Sequence, residues 1–139
     1  MKIAVVYWSS TGNTEAMAQA VVEGAKHAGA EAELFTAAEF DGGKMDEFDA
    51  VAFGCPPMGA EELEDGEFAP MFETCESKLS GKKIALFGSY GWGDGEWMRT
   101  WEENCRDKGA NLVCDSVICQ EAPDDEALSA CRSLGEALA

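Results

Sequence analysis

The chain has 139 residues, 46% of them hydrophobic, which suffices for one domain, residues 1–139, to bury a core without metal or disulfide staples. Ten basic and 27 acidic side chains leave a net charge of −17 at pH 7. Nucleic acid and anionic membrane are therefore not expected as partners. The apolar start from Ile3 to Trp8 is too short for a signal peptide or a membrane span, so we expect a cytoplasmic protein.

Short apolar runs alternate with longer stretches of helical period, which predicts a parallel sheet with helices on both faces. With five strands, the expected architecture is a doubly wound α/β fold of strand order 2-1-3-4-5, whose ligands bind at the carboxyl ends of the strands. Each strand is expected to be buried on both faces. The five runs are Ile3 to Trp8, Ala32 to Phe35, Val51 to Gly54, Ile84 to Gly88 and Leu112 to Cys119.

Four helices are predicted from apolar stripes at helical spacing. Gly29 follows the first as a C′ residue, and Asp124 is placed to cap the last. The segment from Ala37 to Asp49 is expected to be a loop with a short helix. The four predicted helices cover Glu15 to Ala28, Phe68 to Leu79, Trp97 to Cys105 and Asp124 to Leu138.

The first predicted strand ends in Ser9-Ser10-Thr11-Gly12-Asn13-Thr14, and a helix begins at once. Four hydroxyls and several backbone N–H groups thus converge at a helix N-terminus, an arrangement that suits an anion. Neither a G-K-[ST] sequence nor dinucleotide glycine spacing is present, so a terminal phosphate monoester fits best. The residues alone leave open an ordinary N-cap, in which Ser and Thr satisfy the free donors.

Two apolar side chains in predicted loops are candidates to hold a planar ligand. Trp92 stands between Gly91 and Gly93, where an aromatic side chain has little reason to belong to the core. Met58 is the candidate for the opposite wall, because its thioether packs well on aromatic rings, although the residues alone favour core filling for it. The pair predicts a binding site for a flat, hydrophobic ring system.

Three segments of the chain resemble the flavodoxin family. Val5 to Thr14 resembles its FMN-phosphate signature, and Gly54 to Asp65 and Gly88 to Trp97 resemble its two flavin-ring loops. The likeness extends over essentially the whole chain, and the short last strand indicates the short-chain, clostridial-like subgroup. Small departures are Ser10, where relatives often have Gly, and Ala60, where they often have a polar residue.

The resemblance implies FMN as the noncovalent cofactor. It further implies that the Glu61 carboxylate accepts from the pyrimidine N3–H, and that backbone N–H groups near Gly91 serve the ring's carbonyl oxygens. The other carboxylates of the acidic stretch around Glu61 are interpreted as a solvated rim; they are those of Glu62, Glu64, Asp65 and Glu67. The expected cofactor-binding residues are Ser9, Ser10, Thr11, Gly12, Asn13, Thr14, Pro57, Met58, Gly59, Ala60, Glu61, Ser89, Tyr90, Gly91, Trp92 and Gly93.

No metal site is expected. The six cysteines are scattered without a C-x-x-C pair, and the single His27 lies far from all of them in the sequence. Several fall in apolar stretches, where free Cys behaves as a small hydrophobe, so we expect reduced core thiols. The cysteines are Cys55, Cys75, Cys105, Cys114, Cys119 and Cys131.

The resemblance implies a monomeric, low-potential one-electron carrier that replaces ferredoxin and docks on basic patches of redox partners, with no catalytic residues of its own. An NAD(P)H-dependent quinone or flavin reductase of the same fold is the alternative. A phosphoacceptor receiver domain is a third interpretation. It would need acidic residues where Ser9-Ser10 and Cys55-Pro56 stand.

Overall fold

The computed structural model describes residues 1–139. Its strands are all parallel and lie in the order β2-β1-β3-β4-β5, with β6 also paired to β4. The predicted doubly wound order is confirmed. The strands are β1 (Lys2–Tyr7), β2 (Glu31–Thr36), β3 (Ala50–Gly54), β4 (Lys83–Tyr90), β5 (Asn111–Leu112) and β6 (Val117–Gln120).

The prediction of a single fifth strand from Leu112 to Cys119 is wrong. β5 pairs with the first two residues of β4 and β6 with its last four, so both strands share one neighbour. Val113 N still donates to Ile84 O at 3.1 Å, and the chain then leaves the sheet at residues 114–116, where Ser116 Oγ donates to Glu102 Oε2 at 2.6 Å. The Ser116 hydroxyl thus binds the Glu102 side chain, outside the sheet ladder.

Burial on both faces holds for the central strands but not for the edge. Every residue of β1 after Lys2, and all of β3, is buried. β2 pairs only with β1, and its Leu34 is 38% exposed. The edge position of β2 explains the failed prediction, because one side of an edge strand has no neighbour.

The helices are α1 (Asn13–His27), α2 (Phe68–Cys75), α3 (Glu96–Asp107) and α4 (Asp125–Leu138). Gly29 has φ +93° after α1, and Asp124 Oδ1 accepts from Ala127 N at 2.8 Å, so the predicted C′ and N-cap residues are both confirmed. α2 is shorter than predicted, since its stripe continues as a 3₁₀ turn over Glu76–Lys78. The predicted loop after β2 holds two 3₁₀ turns, Ala37–Glu39 and Gly42–Glu47.

The core has one layer on each face of the sheet. Under α2 and α3, the rings of Phe53, Phe68 and Trp101 pack edge to face. On the other face, α1 and α4 pack so closely that a Cβ on Gly24 would collide with Arg132 O. None of the four helices combines the length and the apolar character needed to span a bilayer.

The cysteines are unpaired, as predicted, and four of the six are buried. Burial raises the pKa of the Cys55, Cys105 and Cys131 thiols to about 12, and that of Cys75 to about 11. These thiols are protonated at neutral pH and serve packing.

Candidate functional site

A cleft of about 200 Å³ lies where the carboxyl ends of β1, β3, β4 and β6 meet. This is the edge at which the doubly wound order predicts a ligand. The cleft brings together four sequence segments that are far apart in the chain. Its lining residues are Ser9, Ser10, Thr11, Asn13, Thr14, Pro56, Pro57, Met58, Ser89, Tyr90, Gly91, Trp92 and Glu121.

The loop between β1 and α1 has the geometry of an anion cradle. Gly12 takes φ +91° at the N-cap position, and no side chain caps α1. Ser9 Oγ accepts from Gly12 N at 3.1 Å, and Thr14 Oγ1 accepts from Ser89 N at 3.4 Å, so each hydroxyl keeps its proton to donate. Because no side chain caps α1, the ordinary N-cap alternative is wrong, and the free N–H groups at the start of the helix suit a phosphate.

Met58 and Trp92 both line the cleft as exposed apolar side chains, with 38% and 48% of their surface accessible. Core filling, the alternative for Met58, is thereby wrong. Behind them, Trp97 is buried and its Nε1 donates to Cys55 O at 3.0 Å, which ties α3 to the end of β3. The loops that carry Met58 and Trp92 are thus joined to the buried core at Trp97.

Glu61 lies against Gly93, and its buried Oε1 has no hydrogen-bond partner. A carboxylate oxygen of Glu61 and one each of Asp94 and Glu96 lie within 4.8 Å of one another. Desolvation, followed by the negative charge of Glu96, raises the pKa of Glu61. A buried acceptor without a partner calls for a donor from a ligand, and the N3–H of a flavin is such a donor.

Eleven of the sixteen predicted residues line the cleft, and five do not. Gly12 shapes the anion cradle through its backbone. Gly59 and Ala60 are exposed at the tip of the loop after β3, while Glu61 and Gly93 contact each other beside the cleft.

Sequence reasoning missed Pro56 and Glu121. Glu121 follows β6 with φ +61°, and its backbone oxygen accepts from Ser89 Oγ at 2.6 Å. Its Oε1 lies 3.2 Å from the place where a Cβ on Gly91 would stand. The available signal was its position at the carboxyl end of the last strand, the edge on which the site lies.

The fold and this cleft define a class of protein that holds a phosphorylated planar cofactor, and comparison with known proteins names the family. A family model described as flavodoxin matches residues 5–135. The flavodoxins of Megasphaera elsdenii and Clostridium beijerinckii are 44% and 42% identical; the alignments cover 99% and 97% of this chain and 98% and 97% of theirs. The solution structure of two-electron reduced Megasphaera elsdenii flavodoxin superposes with a TM-score of 0.89 over 98% of this chain and 97% of that one.

The chain belongs to the flavodoxin family and is of the short-chain type. Its activity is electron transfer, and FMN is its cofactor. The residues in the cleft fit that cofactor, because free helix donors, exposed apolar walls and a buried unpaired acceptor occur at one edge.

Proposed function

We propose that residues 1–139 act as one domain that carries single electrons at low potential between redox enzymes, in place of ferredoxin. The observation that carries this proposal is the union, in one cleft, of an uncapped helix N-terminus with the exposed Met58 and Trp92. FMN, when bound, supplies the one-electron chemistry. The protein holds it, tunes it and leaves it accessible to a partner.

We assign the groups of the cleft by their chemistry. The Ser9–Thr14 loop holds the phosphate through N–H and O–H donors, and Met58 and Trp92 pack on the ring. Glu61 accepts from the N3–H, and backbone N–H groups near Gly91 donate to the ring's carbonyl oxygens. Glu121 is a further residue of the cofactor site, since it lines the same cleft.

The charge distribution favours low potential. No Lys or Arg lines the cleft, and the carboxylates of Glu61, Asp94 and Glu96 crowd beside it. Negative charge added to the ring by reduction is therefore poorly stabilised, so the reduced protein gives up electrons readily.

The partners of this proposal are redox proteins that dock through basic patches, and the chain acts as a monomer in the cytoplasm. Its net charge of −17 supports steering of a basic partner. Association with a partner reductase, measured by stopped flow, should slow as salt rises, because screening acts over about 8 Å at physiological ionic strength. A flat salt series would contradict the steering.

The decisive experiment is reconstitution of the apoprotein with FMN followed by redox titration and a turnover assay. We expect one tightly bound FMN per chain, two separate one-electron steps, and no oxidation of NAD(P)H unless a partner reductase is added. Oxidation of NAD(P)H by the protein alone would favour the reductase alternative.

A further inference from the structure

Glu64 lies at the junction between the loop that carries Met58 and the start of α2. Its Oε2 accepts from Gly66 N at 2.7 Å, and its Oε1 accepts from Glu67 N at 2.7 Å and Phe68 N at 2.8 Å. Desolvation opposes the charge, but the three N–H donors outweigh it and hold the pKa of the Glu64 carboxyl below its usual value. The interpretation of Glu64 as part of a solvated rim is therefore wrong.

The backbone of Glu64 is also bound on both sides. Its N–H donates to Cys55 Sγ at 3.5 Å, and its oxygen accepts from Ala69 N at 2.8 Å. Cys55 lies at the start of this loop, directly after β3, and its backbone oxygen accepts from Nε1 of the buried Trp97. Phe68, which the carboxylate caps, is fully buried in the core. The two ends of residues 55–64 are thus joined to each other and to the core.

Between these fixed ends, the loop has strained or exposed backbone. Met58 and Glu62 exchange two hydrogen bonds of 2.7 and 2.9 Å, which fold the tip back on itself. Gly59 has φ +57° and Glu61 has φ +56°, and the latter is a left-handed conformation that a non-glycine residue adopts only when its surroundings hold it. Such a tip depends on its anchors to present Met58 and Glu61 to the cleft.

We propose that Glu64 is a positioning residue for the cofactor ring: by clamping residues 55–64 to the start of α2, it sets where Met58 and Glu61 stand opposite Trp92. Glu64 itself lines no part of the cleft. The role rests on the proposed FMN site and adds a residue to it that acts through others. It differs from that of the phosphate loop, which is built on a separate segment after β1.

The test compares Glu64→Ala and Glu64→Gln with Glu62→Ala. Glu62 is exposed in the same loop and its side chain makes no hydrogen bond, so its variant removes the same charge without touching the clamp. Glu64→Gln keeps the side-chain shape, replaces one acceptor oxygen with an amide donor, and serves if the alanine variant fails to fold. Circular dichroism of each apoprotein establishes that it is folded.

Three quantities are measured on each folded variant: the Kd for FMN, the inhibition constant of inorganic phosphate in competition with FMN, and the first reduction potential of the reconstituted protein. We expect Glu64→Ala to raise the Kd for FMN about tenfold relative to Glu62→Ala, with the phosphate constant unchanged. Glu62→Ala shows how far the first reduction potential moves when one negative charge is removed from this loop. The potentials of both Glu64 variants should differ from that of Glu62→Ala.

The proposal is overturned if the Glu64 variants match Glu62→Ala in FMN affinity and potential. It is also overturned if phosphate binding falls by the same factor as FMN binding, because the effect would then be general to the fold. Both results leave the proposed function intact. Failure of the wild-type chain to bind FMN would contradict the proposed function and this inference with it.

Discussion

The two ends of the parallel sheet differ in how completely their polar groups are satisfied. At the amino end, a groove of about 940 Å³ is larger than the cleft, yet four of its five charged side chains, all except Lys83, already have partners. Lys82 Nζ donates to Met45 O and Phe48 O, and Lys78 pairs with Asp46 at 2.9 Å. At the carboxyl end, the first turn of α1 is uncapped and Glu61 Oε1 is buried without a partner.

Backbone strain follows the same division. The residues with positive φ at the amino end are glycines, Gly29, Gly81 and Gly109, which adopt it without cost. The two non-glycine residues with positive φ, Glu61 and Glu121, both lie beside or in the cleft. An unpaired buried acceptor and strained non-glycine backbone, rather than cavity size, mark the end of the sheet that binds a ligand.

A new negative charge should weaken FMN binding at the carboxyl end of the sheet and have no effect on it at the amino end. Ser10→Glu places a carboxylate in the phosphate loop, and like-charge repulsion should weaken FMN binding about a hundredfold, roughly 3 kcal/mol. Ser80→Glu, on the exposed rim of the amino-end groove, is the matched control and should leave the affinity unchanged. Fluorescence titration with FMN measures both. Equal affinities would remove the Ser9–Thr14 loop from the site.

The ring wall gives the next largest effect. Trp92→Ala should weaken binding of oxidised FMN about tenfold while the fold stays intact, because stacking contributes about 1 kcal/mol or more beyond area burial. Leu34→Ala is the control, since Leu34 is an exposed apolar residue on the edge strand, away from the cleft. The Kd and the melting temperature of each apoprotein are compared. Unchanged affinity in folded Trp92→Ala would contradict the stacking role.

Gly59 allows a test of whether the strained loop responds to reduction. If the Gly59–Ala60 peptide turns after the first electron arrives, Gly59→Thr should oppose the turn by about 1 kcal/mol, because the turn changes ψ of residue 59 and glycine tolerates φ/ψ combinations in which a Cβ clashes. The first reduction potential should then fall by about 40 mV with little change in the Kd for oxidised FMN. A built Cβ on Gly59 meets nothing within 4 Å, so steric collision does not confound the result.

The sequence predicted the strand order and three of the cleft's segments because each has a local signal: apolar runs, a hydroxyl-rich turn, a tryptophan between glycines. Glu121 has no such signal. It reaches the cleft only because β6 pairs with the far end of β4, and the split of the last strand that produces this pairing was itself not predicted.

Glu64 illustrates a second limit of sequence reasoning. A capping residue is recognised when Ser, Thr, Asp or Asn directly precedes a helix, whereas Glu64 caps α2 from four residues before its first residue. In the sequence it is one acid among five. Only the folded loop distinguishes it from exposed neighbours such as Glu62.

A pH series tests the acidic side of the cleft. Because the pKa of Glu61 is raised by desolvation and then by Glu96, its carboxyl takes up a proton as pH falls through that raised value, and FMN affinity should fall with it. The folded apoprotein binds that proton more tightly than the unfolded chain, so the same protonation favours folding as pH falls. Glu96→Gln should move the loss of affinity to lower pH, so that in the pH range of the loss its Kd for FMN is a few-fold lower than that of the wild type. Glu103→Gln, exposed on the same helix, should not move it.

The smallest expected effect distinguishes steering by net charge from steering by one end of the molecule. Lys83→Glu at the amino end of β4 changes the net charge to −19, and Glu62→Lys beside the cleft changes it to −15. If net charge controls association with a basic partner reductase, Lys83→Glu should associate faster and Glu62→Lys slower by similar factors.

The arrangement of the two ends predicts a different result. The seven steps along β4 separate its ends by about 23 Å, nearly three times the screening length of about 8 Å at physiological salt. Glu62→Lys should therefore slow association about twofold, while Lys83→Glu leaves the rate at the wild-type value. Stopped-flow rates at several salt concentrations measure both variants. A clear acceleration by Lys83→Glu at physiological salt would show that the partner responds to the charge of the whole molecule and not to the end that carries the cleft.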